Sequence, residues 1–355
     1  MIKPKRLKKG DKIAIVSLSW GGLGDENFIH KFYIAKERLE KDFGLEVICM
    51  PNALKGSEFI AQYSKLRDKN LMEAFLDKTI SAIFCAIGGE DTIRILPYVD
   101  LDIIKNNPKI FMGYSDSTIN HFMMYKAGLI SFYGPSIMCE FGEYVKMFDY
   151  TKNAVNDILF GEWNKYSLLP SPEWTEECIL WEKNNINTSY RMKKDTHGYE
   201  VINGFGIIKG HLLGGCLDVF MIVNCTKIWP TLEEWNNSIL FIDENRGIFR
   251  LMPQTGFSTA FHPRLEDKPS PEFVKWTFRN LAAQGILKVI NGIIIGKPQG
   301  EIFYEEYKTV IKDVVVDEEK LVNLPIFYNV NFGHAKPIGI IPYGIIVELN
   351  CEEKT

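Results

Sequence analysis

The chain has 355 residues, of which 46% are hydrophobic and 24% are charged, and its formal net charge at pH 7 is −4. This composition is that of an ordinary globular protein, and the slight acidity argues against a nucleic acid as partner. No apolar run approaches the length of a membrane helix, and the N-terminus lacks a signal-peptide pattern, so we expect a cytoplasmic protein with no membrane partner.

Seven cysteines are scattered through the chain, and none forms a C-x-x-C pair. Most stand in apolar surroundings, so buried free thiols are expected. No cluster of His, Cys, Asp and Glu has the spacing of a metal site, and we therefore expect neither a metal nor a cofactor.

In the N-terminal half, short apolar runs alternate with segments of helical periodicity. Strands are predicted at 12–18, 46–50, 81–87, 109–112 and 130–133, and helices at 28–43, 57–76 and 148–160. A further helix, which includes Arg94 and Leu96, is predicted after the third strand. This alternation predicts an α/β fold with a parallel sheet, whose sites form beyond the carboxyl ends of the strands. The pair Gly88-Gly89 follows the third strand, where it would let backbone approach a ligand or simply form a turn.

A change in composition divides the chain into three parts. We predict an N-terminal α/β domain (1–165), a connector (166–203) and a C-terminal β/α domain (204–355). The polar connector contains Trp174 and Trp181, which would stack on a ligand or, more commonly, pack the connector onto a domain. In the C-terminal part, strands are predicted at 238–242, 287–295 and 325–330, and helices at 273–283 and 305–314, with Ser270-Pro271-Glu272 as the start signal of the first of these helices.

Ser115 directly follows the fourth predicted strand, and a segment with helical spacing comes after it. A serine at such a junction presents its hydroxyl beside the N–H groups of a helix start, which is the logic of a nucleophile elbow. The G-x-S-x-G pattern is incomplete, because Ser117 replaces its last glycine. The alternative interpretation is that Ser115 only caps the helix.

An acidic pair, Asp243-Glu244, and a histidine, His334, also follow apolar strands. A serine nucleophile needs a base to take its proton, and the base needs a third group to fix its tautomer. Ser115, His334 and one of the two carboxylates therefore form a candidate triad.

The other histidines are weaker candidates for the base. His211 lies close to the Gly214-Gly215 turn and is the main rival. His121 follows Ser115 on the predicted helix and is expected to be a packed helix residue. The remaining three have no matching partner in their sequence surroundings: His30, His197 and His262.

Short motifs form an ordered set along almost the whole chain: Leu7–Ile13, Ala86–Gly89, Arg94–Pro97, Gly113–Asp116, Gly134-Pro135, Gly214–Leu217, Leu240–Asp243, Phe332–His334 and Pro342–Gly344. As a set they resemble the serine peptidase family that contains the LD-carboxypeptidases and the microcin C immunity proteins. The resemblance implies a metal-independent Ser-Glu-His triad with Ser115 as nucleophile and His334 as base. It places the oxyanion hole at backbone N–H groups near Gly89 and Asp116.

The resemblance also implies the architecture. The family joins an N-terminal flavodoxin-like or Rossmann-like domain to a C-terminal swivelling β/α domain, with the site in the cleft between them. Homodimers are common in the family, so a homodimer is expected here.

The sequence departs from the family at the acid. Family members usually have glutamate where Asp243 stands, and aspartate is one methylene shorter, so its carboxylate would reach His334 only if the backbone allows it. Glu244 should point to the opposite face if the strand continues. Alignment favours Asp243, and both residues stay open. Cys216 likewise stands where asparagine is frequent, and the segment 245–267, longer than in relatives, would cover the cleft or form a surface elaboration.

Within the family, Asp91-Thr92, the tryptophan-bearing connector and the segment Tyr328–His334 resemble the microcin C immunity branch. Members of that branch cleave the bond between a peptidyl or aminoacyl group and a modified nucleotide, and Trp174 or Trp181 would stack on the base. The alternatives are an LD-carboxypeptidase that trims muropeptides and a catalytically inactive two-domain binding protein, which the Asp243 departure would permit.

Overall fold

The structure is a computed structural model that describes residues 1–162, 166–244 and 269–355. The chain divides into two compact units. The N-terminal unit comprises Met1–Tyr166, Trp181–Ser189 and Gly339–Gly344, and the C-terminal unit comprises Ser167–Leu180, Tyr190–Ile338 and Ile345–Thr355. The segment 245–267 and His262, both considered above, lie outside the described residues.

The strands, in chain order, are β1 (Lys12–Val16), β2 (Glu46–Cys49), β3 (Ile80–Cys85), β4 (Ile110–Gly113), β5 (Ser131–Tyr133), β6 (Glu173–Trp174), β7 (Lys193–Lys194), β8 (Glu200–Asn203), β9 (Ile207–Cys216), β10 (Ser238–Asp243), β11 (Gly292–Gly296), β12 (Ile326–Val330), β13 (Ile341–Tyr343) and β14 (Ile346–Asn350). The α-helices are α1 (Ile29–Lys41), α2 (Ser57–Gln62), α3 (Ser64–Leu76), α4 (Leu101–Asn106), α5 (Thr118–Lys126), α6 (Asp149–Val155), α7 (Leu217–Val223), α8 (Leu232–Trp235), α9 (Pro271–Ala283) and α10 (Tyr304–Lys312).

A six-stranded sheet forms the centre of the N-terminal unit, in the order β2-β1-β3-β4-β5-β13. The first five strands are parallel, and β13 joins the edge antiparallel to β5. All four residues of β4 are buried, as expected for a central strand covered on both faces. The strand that leads to Ser115 is therefore held in the core.

Two predicted helices differ from the structure. The segment 57–76 forms two helices, because Tyr63 has φ −117° and ψ 65° and interrupts the helical backbone. After the Gly88-Gly89 turn, the chain forms a short 3₁₀ turn, Thr92–Ile95, before α4 begins.

The C-terminal unit contains a second six-stranded sheet, in the order β14-β9-β10-β11-β12-β8. Strands β9 to β12 are parallel, and the two edge strands pair antiparallel to their neighbours. Helix α9 begins at Pro271, with the Ser270 hydroxyl accepting the N–H of Phe273 at 3.2 Å, as its Ser-Pro start predicts. Gly285, with φ 77°, leads into a 3₁₀ turn at Ile286–Lys288, so β11 starts later than predicted.

The mixed α/β architecture with a parallel sheet in the N-terminal unit confirms the predicted fold class. The connector is largely irregular, apart from a small antiparallel ladder between β6 and β7. In the described part of the chain, no helix has the length and apolar character needed to span a bilayer.

Candidate active site

Ser115 lies at a sharp turn between β4 and α5. Its φ is 63°, which places a non-glycine residue in the left-handed region. Such a conformation costs roughly 1–2 kcal/mol and persists at functional positions when the surroundings enforce it. A short 3₁₀ turn, Ser115–Ser117, leads into α5. This strained strand–turn–helix junction is the geometry of a nucleophile elbow.

Two hydrogen bonds hold the Ser115 backbone in this conformation. Its N–H donates to the Tyr133 hydroxyl at 3.0 Å, and its carbonyl accepts the Thr118 hydroxyl at 2.7 Å. Tyr133 is fully buried on β5. The bond from the Ser115 N–H occupies that donor, so an oxyanion would be bound by neighbouring N–H groups.

The Gly88-Gly89 turn lies directly against Ser115. A methyl group on Gly88 would lie 2.8 Å from Ser115 Cβ, 3.0 Å from its Oγ and 3.2 Å from the Asp116 nitrogen. Gly89 has φ 144°, and a methyl group there would lie 2.5 Å from the Ser19 hydroxyl. Among the described residues, the Gly89 N–H makes no backbone hydrogen bond. This is the arrangement expected of an oxyanion donor, and the role itself stays a prediction.

The Asp116 side chain connects the loops that surround Ser115. Its Oδ2 accepts the Ser19 hydroxyl at 2.5 Å and the Thr92 N–H at 2.8 Å. Ser19 follows β1 and Thr92 follows β3, so one buried carboxylate joins the ends of three strands. Asp116 thus positions the turn, while its backbone N–H was the group predicted to face the oxyanion.

Arg67 is a supporting residue that the sequence analysis missed. It is completely buried on α3, and its guanidinium donates to the carbonyls of Leu18 at 2.9 Å, Ser19 at 3.2 Å and Asp91 at 3.2 Å. It also pairs with Asp91 Oδ2 at 2.8 Å. Burial lowers the pKa of Arg67, and the Asp91 charge opposes this shift. Arginine is seldom fully buried, so its presence on a predicted helix gives no sequence signal of burial.

His121 is the packed helix residue that the sequence analysis expects. Its Nε2 donates to the Gly113 carbonyl at 2.9 Å, and its Nδ1 accepts from the Ser131 hydroxyl at 2.7 Å. Burial lowers the pKa of His121 to about 4. The neutral ring therefore fixes the backbone just before Ser115 instead of exchanging protons.

The rival base, His211, lies at the wrong end of its sheet to serve Asp243. It pairs in register with Ser238, the first residue of β10, whereas Asp243 is the last. Its Nε2 donates to the Glu234 carbonyl at 2.9 Å. Five residues of strand, about 17 Å, separate the two ends of β10.

In the C-terminal unit, Asp243 and His334 form a close pair. Asp243 ends β10 and His334 follows β12, and the distance from Asp243 Oδ2 to His334 Nδ1 is 2.6 Å. Gly333 makes this approach possible, because its φ is 88° and a methyl group there would collide with the Asp243 side chain. The Asp243 side chain is 2% exposed and that of His334 is 11% exposed. A buried acid therefore fixes the orientation of a partly accessible imidazole.

The structure distinguishes the two carboxylates, Asp243 and Glu244, that the sequence offered as the partner of His334. Asp243 reaches His334 although it is one methylene shorter than glutamate. Glu244 turns elsewhere, and its Oε1 accepts the N–H of Gln299 at 2.8 Å. The geometry therefore favours Asp243 as the acid that orients His334.

Cys216 lies beside this pair. It ends β9 and stands opposite Asp243 in the strand register, and its Sγ lies 3.6 Å from Asp218 Oδ2. Burial raises the pKa of the Cys216 thiol well above its usual value, and the nearby charges of Asp243 and Asp218 act in the same direction. The ligand atoms of Cys216, Asp243 and His334 all lie within 4.8 Å of one another. Sequence spacing gave no indication of this cluster.

Trp174 and Trp181 are both buried by packing. The Trp174 ring lies under the ammonium groups of Lys297, at 4.5 Å, and Lys193, at 5.5 Å, within the C-terminal unit. In the N-terminal unit, the Trp181 ring lies 4.9 Å from the Lys31 ammonium. These cation–π contacts are part of the packing around each ring. The stacking of either ring on a nucleobase stays a prediction.

Comparisons with known proteins agree over both units. The family descriptions "LD-carboxypeptidase N-terminal domain" and "LD-carboxypeptidase C-terminal domain" match residues 13–134 and 209–349. An MccF-like protein from Streptococcus pneumoniae, solved in complex with AMP, is 32% identical, with 97% of each chain covered and a TM-score of 0.84.

Two curated relatives represent the two named activities. The microcin C7 self-immunity protein MccF of Escherichia coli is 28% identical over 298 residues, covering 82% of this chain and 77% of its own. The "Probable murein peptide carboxypeptidase" of Bacillus subtilis is 34% identical over 142 residues, covering 39% of this chain and 42% of its own. The match to the MccF protein thus extends over far more of the chain.

Proposed function

This chain belongs to the LD-carboxypeptidase family of peptidases and resembles its MccF proteins, and from this we propose that it is a serine-type hydrolase of amide bonds. The substrate class that we propose is a peptidyl or aminoacyl group joined to a nucleotide. The observation that carries the proposal is the 2.6 Å hydrogen bond between Asp243 and His334. This bond orients His334 as a base, and an inactive binding protein would not need an oriented base.

In the proposed mechanism, His334 acts through Nε2. Because Nδ1–H donates to the Asp243 carboxylate, the lone pair of the neutral ring is on Nε2 and accepts the Ser115 hydroxyl proton. The Ser115 oxygen attacks the amide carbonyl, and backbone N–H groups near Gly89 and Asp116 bind the oxyanion. His334 then gives the proton to the leaving amine, and water hydrolyses the acyl-enzyme with the same base.

The nucleotide part of the proposal rests on similarity. The pneumococcal relative was solved with AMP, and the Escherichia coli relative is named for immunity to microcin C7. Trp174 or Trp181 would stack on the base only if it left its present packing against lysine. The homodimer and the cytoplasmic location expected from the sequence stay predictions.

A second candidate function is L,D-carboxypeptidase action on muropeptides. The family descriptions and the Bacillus subtilis relative favour it. The same three residues would carry the chemistry, because both substrates present an amide bond. Only the protein groups that bind the acyl and amine portions of the substrate would differ.

The deciding experiment measures amide hydrolysis by the wild type, Ser115→Ala and the matched control Ser117→Ala, which removes a hydroxyl from the same turn. Each is given an aminoacyl-sulfamoyl-adenosine and an L,D-tetrapeptide in parallel. We expect turnover of the nucleotide substrate by the wild type and Ser117→Ala only. Preference for the tetrapeptide would select the second function, and turnover by Ser115→Ala would refute the mechanism.

A further inference from the structure

Three metal-ligating side chains converge at the carboxyl ends of strands in the C-terminal unit. Cys216 ends β9, Asp243 ends the neighbouring β10, and His334 follows β12. Their ligand atoms lie within 4.8 Å of one another, and within the described residues no other three such side chains meet in this way. The group therefore offers one sulfur, one oxygen and one nitrogen to a common point.

These atoms all lie within 4.8 Å of one another, and a tetrahedral metal centre sets a narrower range for such distances. Ligands at about 2.0–2.3 Å from a zinc ion lie roughly 3.3–3.8 Å from one another. The Asp243–His334 distance of 2.6 Å is shorter than this because a hydrogen bond joins the two atoms. Small side-chain rotations would bring the three distances into that range, without a change in the strands.

The donor set selects the metal. Hard ions such as Mg²⁺ and Ca²⁺ prefer oxygen ligands, whereas a thiolate with an imidazole suits Zn²⁺. Three protein ligands leave the fourth tetrahedral position for water. Before metal binds, the Cys216 thiol donates to Asp218 Oδ2 at 3.6 Å, and this hydrogen bond is lost when the thiol proton leaves.

We propose that Cys216, Asp243 and His334 bind a zinc ion and that the bound ion inhibits the enzyme. Binding releases the Cys216 thiol proton to solvent, and the ring of His334 stays neutral while one nitrogen coordinates the metal. The ion replaces the hydrogen bond between Asp243 and His334, so the oriented base is lost. The inhibition rests on the function proposed above, whereas the binding does not.

The thiol is the residue that tests the site, because Asp243 and His334 also serve the proposed chemistry. Cys216→Ser keeps the size of the side chain and removes the thiolate. A matched control exists in the same unit: Cys225 is an exposed free thiol outside the cluster, and Cys225→Ser removes adventitious binding there. Binding is followed with Co²⁺ as a spectroscopic probe for Zn²⁺.

In the binding experiment, the wild type and Cys225→Ser should give a thiolate-to-cobalt absorption band that added zinc abolishes. Cys216→Ser should lack the band, and its zinc affinity should fall by more than the roughly 10–100-fold that follows loss of an outer partner. A band of equal intensity in Cys216→Ser, or no band in the wild type at millimolar cobalt, would overturn the site.

In the activity experiment, zinc should inhibit the wild type and Cys225→Ser, and EDTA should restore each rate. The rate of Cys216→Ser is measured against its own zinc-free rate. Its inhibition constant for zinc should rise by the same factor as its dissociation constant for zinc. Equal inhibition of Cys216→Ser and Cys225→Ser by zinc would show that the cluster is not the inhibitory site. Absence of turnover with every substrate would refute the proposed function and the inhibition with it, while the cobalt titration still decides the site.

Discussion

Asp243 and His334 are joined by a hydrogen bond although their strands are not neighbours. Strand β11 lies between β10 and β12 and ends at Gly296, where a methyl group would lie 3.2 Å from Asp243 Cβ. The glycine at the end of the middle strand and Gly333 beside the histidine leave the space through which the two side chains meet. The 2.6 Å bond therefore depends on two residues that have no side chain.

Asp243→Asn should lower kcat on the order of 10⁴-fold, as in other serine triads, with a smaller effect on the free energy of unfolding. The asparagine amide would donate to Nδ1 of His334 and move the ring proton to Nε2. A ring protonated at Nε2 cannot accept the Ser115 proton. Steady-state kinetics with the substrate that the wild type hydrolyses would measure the loss.

Glu244→Gln is the matched control for this prediction. Glu244 is the neighbouring buried carboxylate, and it accepts the Gln299 N–H. We expect kcat to change by less than about 10-fold, because a glutamine oxygen can accept the same bond. A larger loss in Glu244→Gln than in Asp243→Asn would reverse the assignment of the acid.

Ser115→Gly should abolish hydrolysis without the loss of stability that a glycine substitution usually brings. With φ 63°, Ser115 occupies a region that glycine adopts without strain. We expect Ser115→Gly to be more stable than Ser115→Ala by up to about 1 kcal/mol, because alanine keeps the strain. Urea-induced unfolding of the two variants would measure the difference.

Ala61→Gly supplies the comparison. Ala61 is exposed near the end of α2, where glycine should reduce the free energy of unfolding by up to about 1 kcal/mol. If glycine raises the free energy of unfolding relative to alanine at position 115 and lowers it at position 61, Ser115 is strained. A loss of stability in Ser115→Gly relative to Ser115→Ala would show that the turn carries no strain.

Local sequence patterns predicted the junction at Ser115 and the start of α9 at Ser270-Pro271. Each depends on residues adjacent in the chain: an apolar run that ends at a turn, or a cap followed by proline. The contact between Asp243 and His334 instead depends on the register of three strands, and a shift of one residue would turn either side chain to the other face. For that reason the sequence left Asp243 and Glu244 open.

Other features of the site were outside the reach of sequence patterns. The charge of Arg67 predicts a surface residue, yet its side chain is buried and donates to carbonyls of the loops after β1 and β3. The approach of Cys216 to His334 arises from the order of strands in the sheet, because the two residues are far apart in the chain. Tertiary packing, which acts between distant segments, determines both.

Arg67→Gln should lower the free energy of unfolding by about 3–5 kcal/mol, because it leaves three carbonyls without their buried donor and removes one of the two arginines that pair with Asp91. It should also lower kcat, since Asp91 and Ser19 belong to the loops that contact the Ser115 turn. Thermal and urea-induced unfolding, together with kinetics, would measure both effects.

Arg94→Gln is the matched control for Arg67→Gln. Arg94 pairs with the same Asp91 carboxylate at 3.1 Å, but 48% of its side chain is exposed. Solvent screens such a pair, so we expect a loss of no more than about 1 kcal/mol. Equal losses in the two variants would show that burial of Arg67 has no special role in the loops.

His121 should make the stability of the N-terminal unit depend on pH. Burial lowers the pKa of His121 in the folded protein to about 4, from 6.5 in the unfolded chain. Between these values the unfolded chain binds more protons, so the free energy of unfolding should fall as the pH falls from 6.5 to 4, by about 3 kcal/mol in total. In His121→Gln, an uncharged residue that can still donate to the Gly113 carbonyl, this part of the pH dependence should disappear. Urea-induced unfolding of both proteins at pH 7, 6, 5 and 4.5 would measure it, and parallel pH profiles would exclude His121 as its source.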